Sequence, residues 1–280
     1  MAPGAPSAAA VMERARHENF PVAGRVLPRA QRDHLLAVYG YARLVDDLGD
    51  EAAGDRGALL DWVDGELDAI YAGRAPEHEL MVRLARTVAA CDIPRDPLQR
   101  LVAANRQDQV VARYADFDAL VDYCRLSATP VGELVLRIFG VATPDRIALS
   151  DDICTALQVV EHLQDVGEDR AAGRVYLPQD DLAACGCPEG DLDAPVASPA
   201  LRRVVALEAG RARALLGRGA PLVRRLPVRP ALAVAAFVAG GHAAADALER
   251  AGWDVLGTRA RPTRGALALR LVRTLGQVAR

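Results

Sequence analysis

Two short acidic clusters lie far apart in the chain. The first, Asp46-Asp47-Leu48-Gly49-Asp50-Glu51, puts four carboxylates in six residues, and the second is Asp165-Val166-Gly167-Glu168-Asp169. In each, two aspartates stand one helical turn apart: Asp46 with Asp50, and Asp165 with Asp169. Like charges at that spacing destabilise a helix, and carboxylates near a helix C-terminus oppose its dipole. Both arrangements therefore ask for a cation. Hard oxygens suit Mg²⁺, which keeps several waters and binds through one or two carboxylates plus substrate phosphates. A solvated acidic helix end is the competing reading of either cluster. On physical grounds alone the two readings stand about level.

The segments that must position these clusters have helical periodicity. Leu35, Val38, Tyr39, Ala42 and Val45 recur at helical spacing in Gln31 to Leu48. Further helices are expected over Gly57 to Tyr71, Glu77 to Ala90 and Pro97 to Val111. A long pattern from Asp118 to Phe139 is interrupted by Pro130 and Gly132, where a kink belongs. Another starts at Thr143-Pro144-Asp145, runs to about Asp169 and stops at Gly173. After a Gly-, Pro- and Asp-rich loop over Cys185 to Pro199, helices are expected over Ala200 to Leu216, Pro230 to Ala251 and Arg264 to Val278. No strand alternation and no fixed-period repeat is seen. The expected fold is all-α, a single domain over 1–280 with a poorly ordered start over about 1–16.

Composition narrows the function. Hydrophobic residues make up 51% of 280, enough for a packed body, and a net charge of −3 gives no support to a nucleic-acid binder. Five cysteines form no CxxC pair, and no basic n-region or long apolar run opens the chain, which suggests a reduced cytoplasmic setting. Ala231 to Gly240, the longest apolar stretch, is roughly half a membrane span and reads as a buried helix.

The wider context of both clusters resembles the squalene/phytoene synthase family of head-to-head prenyl synthases. Tyr39-Gly40-Tyr41-Ala42-Arg43-Leu44-Val45-Asp46-Asp47 resembles its first aspartate motif, and Leu157-Gln158-Val159-Val160-Glu161-His162-Leu163-Gln164-Asp165 through Asp169 its second. Gly173-Arg174-Val175-Tyr176-Leu177-Pro178 is similar to the segment that follows. Three narrower segments, Glu18 to Ala23, Ala104 to Gln109 and Tyr123 to Gly132, resemble the bacterial hopanoid-pathway branch. Two positions depart from the family pattern: Glu161 stands where many members carry Asn, and Gln164 where many carry a basic residue.

The resemblance implies a helical bundle of the isoprenoid-synthase type around a central apolar cavity. It implies an isoprenoid diphosphate substrate and two or three Mg²⁺ ions on Asp46, Asp50, Asp165 and Asp169, with Asp47 and Glu161 as further candidate ligands. Phe20, Arg43, Asp108, Gln158 and Arg174 are the expected substrate-binding residues; Tyr39, Tyr123, His162 and Tyr176 are the expected catalytic ones. Guanidinium forks match phosphate oxygens, and aromatic faces can stabilise a carbocation shielded from water. For the branch the implied reaction converts presqualene diphosphate to hydroxysqualene, with His162 orienting the quenching water or relaying its proton. The absence of a nicotinamide fingerprint favours water over hydride, so NADPH is not expected to be required. Formation of presqualene diphosphate, squalene or phytoene is the alternative within the family, and a non-catalytic helical partner subunit the alternative outside it. A working partnership with a presqualene diphosphate synthase is implied as well.

The chain ends in a basic stretch. Arg259, Arg261, Arg264, Arg270, Arg273 and Arg280 interleave with Leu267, Leu269, Leu271, Val272 and Leu275, with no acid among them. Such a helix can lie on anionic lipid, giving peripheral membrane association, or pack on the bundle with a solvated basic face.

Overall fold

A computed structural model of the chain describes residues 6–14, 27–258 and 260–278. Among them it is all-α, with thirteen α-helices, short 3₁₀ and π turns, and one isolated bridge between Arg113 and Val175. In chain order the helices are α1 (Ala8–Arg14), α2 (Arg29–Asp46), α3 (Arg56–Tyr71), α4 (Glu79–Cys91), α5 (Arg95–Asp108), α6 (Phe117–Ser127), α7 (Thr129–Ile138), α8 (Pro144–Gln164), α9 (Val166–Ala171), α10 (Gln179–Ala184), α11 (Pro199–Gly219), α12 (Val228–Arg250) and α13 (Arg264–Val278). The chain divides into two compact units: Met1–Val110 with Pro130–Thr143, and Val111–Thr129 with Pro144–Arg280.

In the first unit α2 buries Leu35, Val38, Tyr41, Leu44 and Val45, spaced at three and four residues, and packs on α4 and α5. Gly40 permits the close approach to α4, since a Cβ there would lie 3.0 Å from the Leu80 side chain. The buried Tyr41 hydroxyl donates to the Leu98 carbonyl of α5 at 2.8 Å, so its polar end is satisfied inside the core. Asp55 caps α3 by accepting from Ala58 N at 3.0 Å, a contact of about 1 kcal/mol. Buried Glu66 accepts from the backbone N–H groups of Glu77 and His78, fixing the loop into α4. Helix α1 was not anticipated from the sequence; Val11 on it is fully buried.

In the second unit α8 and α11 form the main helix pair. Gly219 sets their closest approach: a Cβ there would meet the Leu149 carbonyl oxygen at 2.7 Å and Ile153 Cγ1 at 2.5 Å. Helix α12 contributes mostly alanine and glycine, including Ala235, Ala239, Gly241, Ala243 and Ala245, and packs against α8 and α11. Small side chains let helix axes approach closely, which is how a chain with 4% aromatics still fills its interior.

Expected and observed helix ends differ by no more than three residues for α2 to α5 and α11 to α13. The Asp118–Phe139 pattern is broken at Ala128, just before Pro130, into α6 and α7. The pattern from Thr143 is broken at Asp165, where ψ turns to 13° between α8 and α9. Gly173 does terminate it, in a left-handed conformation at φ 83°.

Candidate functional site

The first acidic cluster begins on the last residue of α2 and continues as a π turn over Asp47–Glu51. Such turns are rare and occur often at functional positions. Its four carboxylates have different environments. Asp47 is buried and takes Arg43 Nε at 2.8 Å, while Arg43 Nη2 reaches Glu51 at 3.2 Å. Asp46 and Asp50 are open to solvent. Asp46 is held by a neutral donor, the Asn105 amide at 3.1 Å from α5. Protein crowded around the Asp46 carboxylate strips much of its hydration and, despite its solvent-facing oxygens and the opposing Asn105 and Arg43 contacts, pushes it up to about 6. The charges of Asp50 and Asp47 push in the same direction.

Helix α5 completes this cluster from behind. Asn105 also donates to Leu101 O at 3.2 Å, and Gln109, one turn on, donates to Gly49 O at 2.9 Å. Gly49 is the residue Asn105 packs on, for a Cβ there would lie 2.0 Å from Asn105 Oδ1. Asp108, expected to serve the substrate, is half-buried at the end of α5, and Asn105 and Gln109 of the same segment touch the cluster. Their four-residue spacing was the available signal. Arg106 between them is occupied by Asp61 and Asp64. Tyr39 is half-buried on α2, and Phe20 lies outside the described residues.

The second cluster straddles the α8–α9 break. Asp169 N donates to Asp165 O at 2.8 Å, so the helical step between the two aspartates persists through the break. Arg174 N then donates to Asp169 O at 2.8 Å, which the left-handed Gly173 makes possible. Both aspartates are half-buried, and Glu161 and Glu168 are exposed. Arg170 is drawn aside by Glu189 and Asp193. Gln164 donates to Ala260 O at 2.8 Å, so this position holds a later segment of the chain.

Beside the second cluster sits a buried aromatic stack. The His162 and Tyr176 rings lie 3.8 Å apart at 13°, Tyr123 packs against Tyr176 at 5.5 Å, and Tyr114 against both tyrosines at 5.3 and 5.6 Å. Gln158 Nε2 lies 3.3 Å from His162 Nε2, and His162 Nδ1 lies 3.7 Å from Asp169 Oδ2. That pairing favours the tautomer with the proton on Nδ1, its N–H turned towards the carboxylate and Nε2 accepting from the amide. Arg174 Nη1 donates to the Tyr176 hydroxyl at 3.4 Å. A small recess is lined by His162, Val166, Asp169, Arg174, Val175, Tyr176, Leu177 and Leu192.

Of the sequence-predicted residues, the structure thus gathers Gln158, His162, Asp169, Arg174, Tyr123 and Tyr176, and gathers Arg43 with Asp47. Tyr114 was missed, because it is placed by an extended pairing in which Val175 N donates to Ala112 O and Gln179 N to Tyr114 O.

Among the described residues no three His, Cys, Asp or Glu side chains converge as a finished metal cage. Mg²⁺ completes its shell with water and substrate oxygens and so needs only one or two protein carboxylates. Asp46 supplies the test of fit: a carboxylate raised by lost hydration and by neighbouring like charge gains when a divalent ion arrives. All five cysteines are free, and burial, reinforced by Asp191 and Cys185, pushes the Cys187 thiol up to about 11, which disfavours the thiolate a metal would need.

Comparison with known proteins gives a match to the squalene/phytoene synthase family over residues 14–266. A hydroxysqualene synthase of Rhodopseudomonas palustris is 39% identical over 212 residues, 75% of this chain and 72% of that protein. A presqualene diphosphate synthase of the same organism is 32% identical over 218 residues, 75% of this chain and 76% of that one. Among solved structures, the squalene synthase HpnC of Alicyclobacillus acidocaldarius superposes with a TM-score of 0.82 at 41% identity, covering 91% of this chain and 95% of its own.

Proposed function

Since the chain belongs to the squalene/phytoene synthase family, an enzyme family of Mg²⁺-dependent isoprenoid diphosphate chemistry, we propose that it converts presqualene diphosphate to hydroxysqualene. The observation that carries this reading is the greater likeness to a hydroxysqualene synthase than to the presqualene diphosphate synthase of the same organism.

In this reading each aspartate pair, Asp46 with Asp50 and Asp165 with Asp169, would hold Mg²⁺ for the diphosphate. Bound Mg²⁺ supplies Lewis-acid neutralisation of the charge that builds on the leaving group. Asp47 serves differently, since Arg43 takes it, and so orients the Arg43 fork at the edge of the cluster. Arg174 directs its guanidinium at the phosphate oxygens from beside Asp169, where the Gly173 turn sets its backbone. The π faces of Tyr123, His162 and Tyr176, with Tyr114 behind them, stabilise the cation left by ionisation and keep bulk water from it. Gln158 fixes the His162 ring, and this pair orients the one water whose oxygen closes the reaction. The released diphosphate is the base at hand for its proton; His162 relays it only when Nε2 exchanges the Gln158 amide for that water. The substrate requires a presqualene diphosphate-forming enzyme upstream, the expected working partner. The reaction also calls for an apolar chamber, the family cavity expected from the sequence.

Incubation with presqualene diphosphate or farnesyl diphosphate, with and without Mg²⁺ and NADPH, tests the proposal by product analysis. Hydroxysqualene should form from presqualene diphosphate with Mg²⁺ and no NADPH. Squalene formed only when NADPH is present, or consumption of farnesyl diphosphate alone, would refute it.

A further inference from the structure

Twelve arginines fall in two stretches that contain no acid, residues 209–245 and 255–280, six in each, while all 37 aspartates and glutamates lie elsewhere. A chain of net charge −3 needs no such segregation for solubility. In the second unit the two stretches come together, because α13 packs on α12 and on the 3₁₀ turn Ala220–Arg225 that precedes α12. Arg270 of α13 forks onto Asp246, near the far end of α12, at 2.6 Å through both Nε and Nη2. Helix α13 therefore runs back antiparallel along α12 towards its start.

The arginines divide into two groups. Arg211, Arg213, Arg218, Arg225 and Arg270 are paired with carboxylates. Arg224, Arg229, Arg261, Arg264 and Arg273 are exposed, and none has a carboxylate within ion-pair distance among the described residues. Large apolar side chains are exposed in the same elements: Leu269 and Val272 on α13 at 51% and 68%, and Val228 and Leu232 at the start of α12 at 76% and 41%. Leu269 and Val272, three residues apart, share a face, while Thr274 is buried and Arg270 is turned to Asp246.

We propose that this face of the second unit docks peripherally on the anionic surface of a lipid bilayer. Val228, Leu232, Leu269 and Val272 enter the interface, and the five exposed guanidiniums lie on headgroup phosphates. Arginine suits this, because its apolar stem can lie along hydrocarbon while its head stays with phosphate. The contact is peripheral. Helix α12 is long and apolar enough to span a membrane, but Val234, Ala235, Val238 and Ala239 are packed in the protein interior. A polyanion such as nucleic acid would use the charge and leave the four apolar side chains without a role. The proposal stands on charge and exposure and does not depend on the reaction proposed above.

The test is flotation of the full chain with phosphatidylcholine vesicles, alone or mixed with phosphatidylglycerol, at low and high salt. Binding is expected only to the mixed vesicles and is released by salt. R264E/R273E should lower the partition coefficient roughly twentyfold or more, at about fivefold for each arginine withdrawn from the headgroups. V272N, which leaves the charge unchanged, should weaken it as well. Circular dichroism and turnover in detergent, unchanged in both variants, separate a docking defect from a folding defect and from failure of the proposed chemistry. Equal binding to neutral vesicles, no binding by the folded chain, full binding by R264E/R273E, or binding to DNA with vesicles ignored would each overturn the assignment.

Discussion

Gly49 is the position at which the packing of the first acidic cluster can be tested most sharply. A methyl group there would overlap the Asn105 amide, whose Oδ1 and Cγ would lie 2.0 and 2.8 Å away, and Asn105 is itself buried. Gly49→Ala must therefore push Asn105 off, breaking its bond to Asp46 at 3.1 Å. Overpacking of this kind costs about 1–3 kcal/mol. A hydrogen bond to a charged group contributes about 1.5–3 kcal/mol in general, and the lower end applies because Asp46 is open to solvent. Against these, replacing glycine by alanine inside a helical turn gains about 0.5–1 kcal/mol. The net expectation is a loss of about 2 kcal/mol for Gly49→Ala. Asn105→Ala should lose about 1–2 kcal/mol through the contacts with Asp46 and Leu101 O. In the double variant the overlap is gone, so Gly49→Ala should become neutral or mildly stabilising there. The coupling between the two positions, read from chemical denaturation of all four proteins, should exceed about 1.5 kcal/mol. Additive losses would refute the assignment of Gly49 to the Asn105 contact. The same cycle has a functional reading: the Asn105 amide holds Asp46 down against lost hydration, so without it Asp46 titrates above about 6. Asn105→Ala should accordingly move the acid limb of turnover to higher pH.

Two further predictions follow from buried contacts in the second unit. Gly219→Ala places a Cβ against a backbone carbonyl at 2.7 Å that has no rotamer to escape into, so it should cost about 2–3 kcal/mol and lower the melting temperature by several degrees. Glu208 is buried, and lost hydration, opposed by Arg211 and reinforced by Asp181, pushes its carboxyl from 4.5 up to about 8. An acid raised in the folded state binds more protons there than when unfolded, so it favours folding below its ordinary value, and that contribution is lost as pH rises towards about 8. Denaturation across that window should show wild-type stability falling by up to roughly 1 kcal/mol per pH unit relative to Glu208→Gln. Parallel curves for the two proteins would show that Glu208 stays ionised throughout.

Much of this architecture is legible in the sequence, because helix periodicity and capping are local. Gly173 marks a helix end by chemistry that a reader of residues can recognise, and it acts there in the structure. The aspartate spacing is equally local: Asp169 N still bonds to Asp165 O. What sequence reading missed depends on contacts between distant residues. The role of Asn105 needs α5 to lie against the π turn, and Tyr114 needs the strand-like pairing of Ala112 and Tyr114 with residues 175–179. The break at Asp165 also carries no proline or glycine at the residue itself. Arg43, expected to bind substrate, also pairs with Asp47 at 2.8 Å, one turn away.

The choice of partner separates structural acids from those expected to meet a cation. Asp47, Asp181, Asp193, Asp246 and Asp254 all face arginine, whose fixed positive charge neutralises them. Asp46 instead takes its short side-chain contact from an amide, which satisfies one oxygen lone pair and brings no net charge. An arginine in the place of Asn105 would draw the Asp46 carboxylate into a finished ion pair and leave little for a divalent ion to gain. An amide leaves the negative charge unneutralised, beside the like charges of Asp50 and Asp47, where a cation is favoured. Asn105→Asp tests this logic: a further carboxylate should weaken the apo protein by like-charge repulsion yet raise the stabilisation that Mg²⁺ confers, measured as the shift in melting temperature with added ion. A variant that Mg²⁺ stabilises no more than wild type would mean that Asp46 does not face the ion.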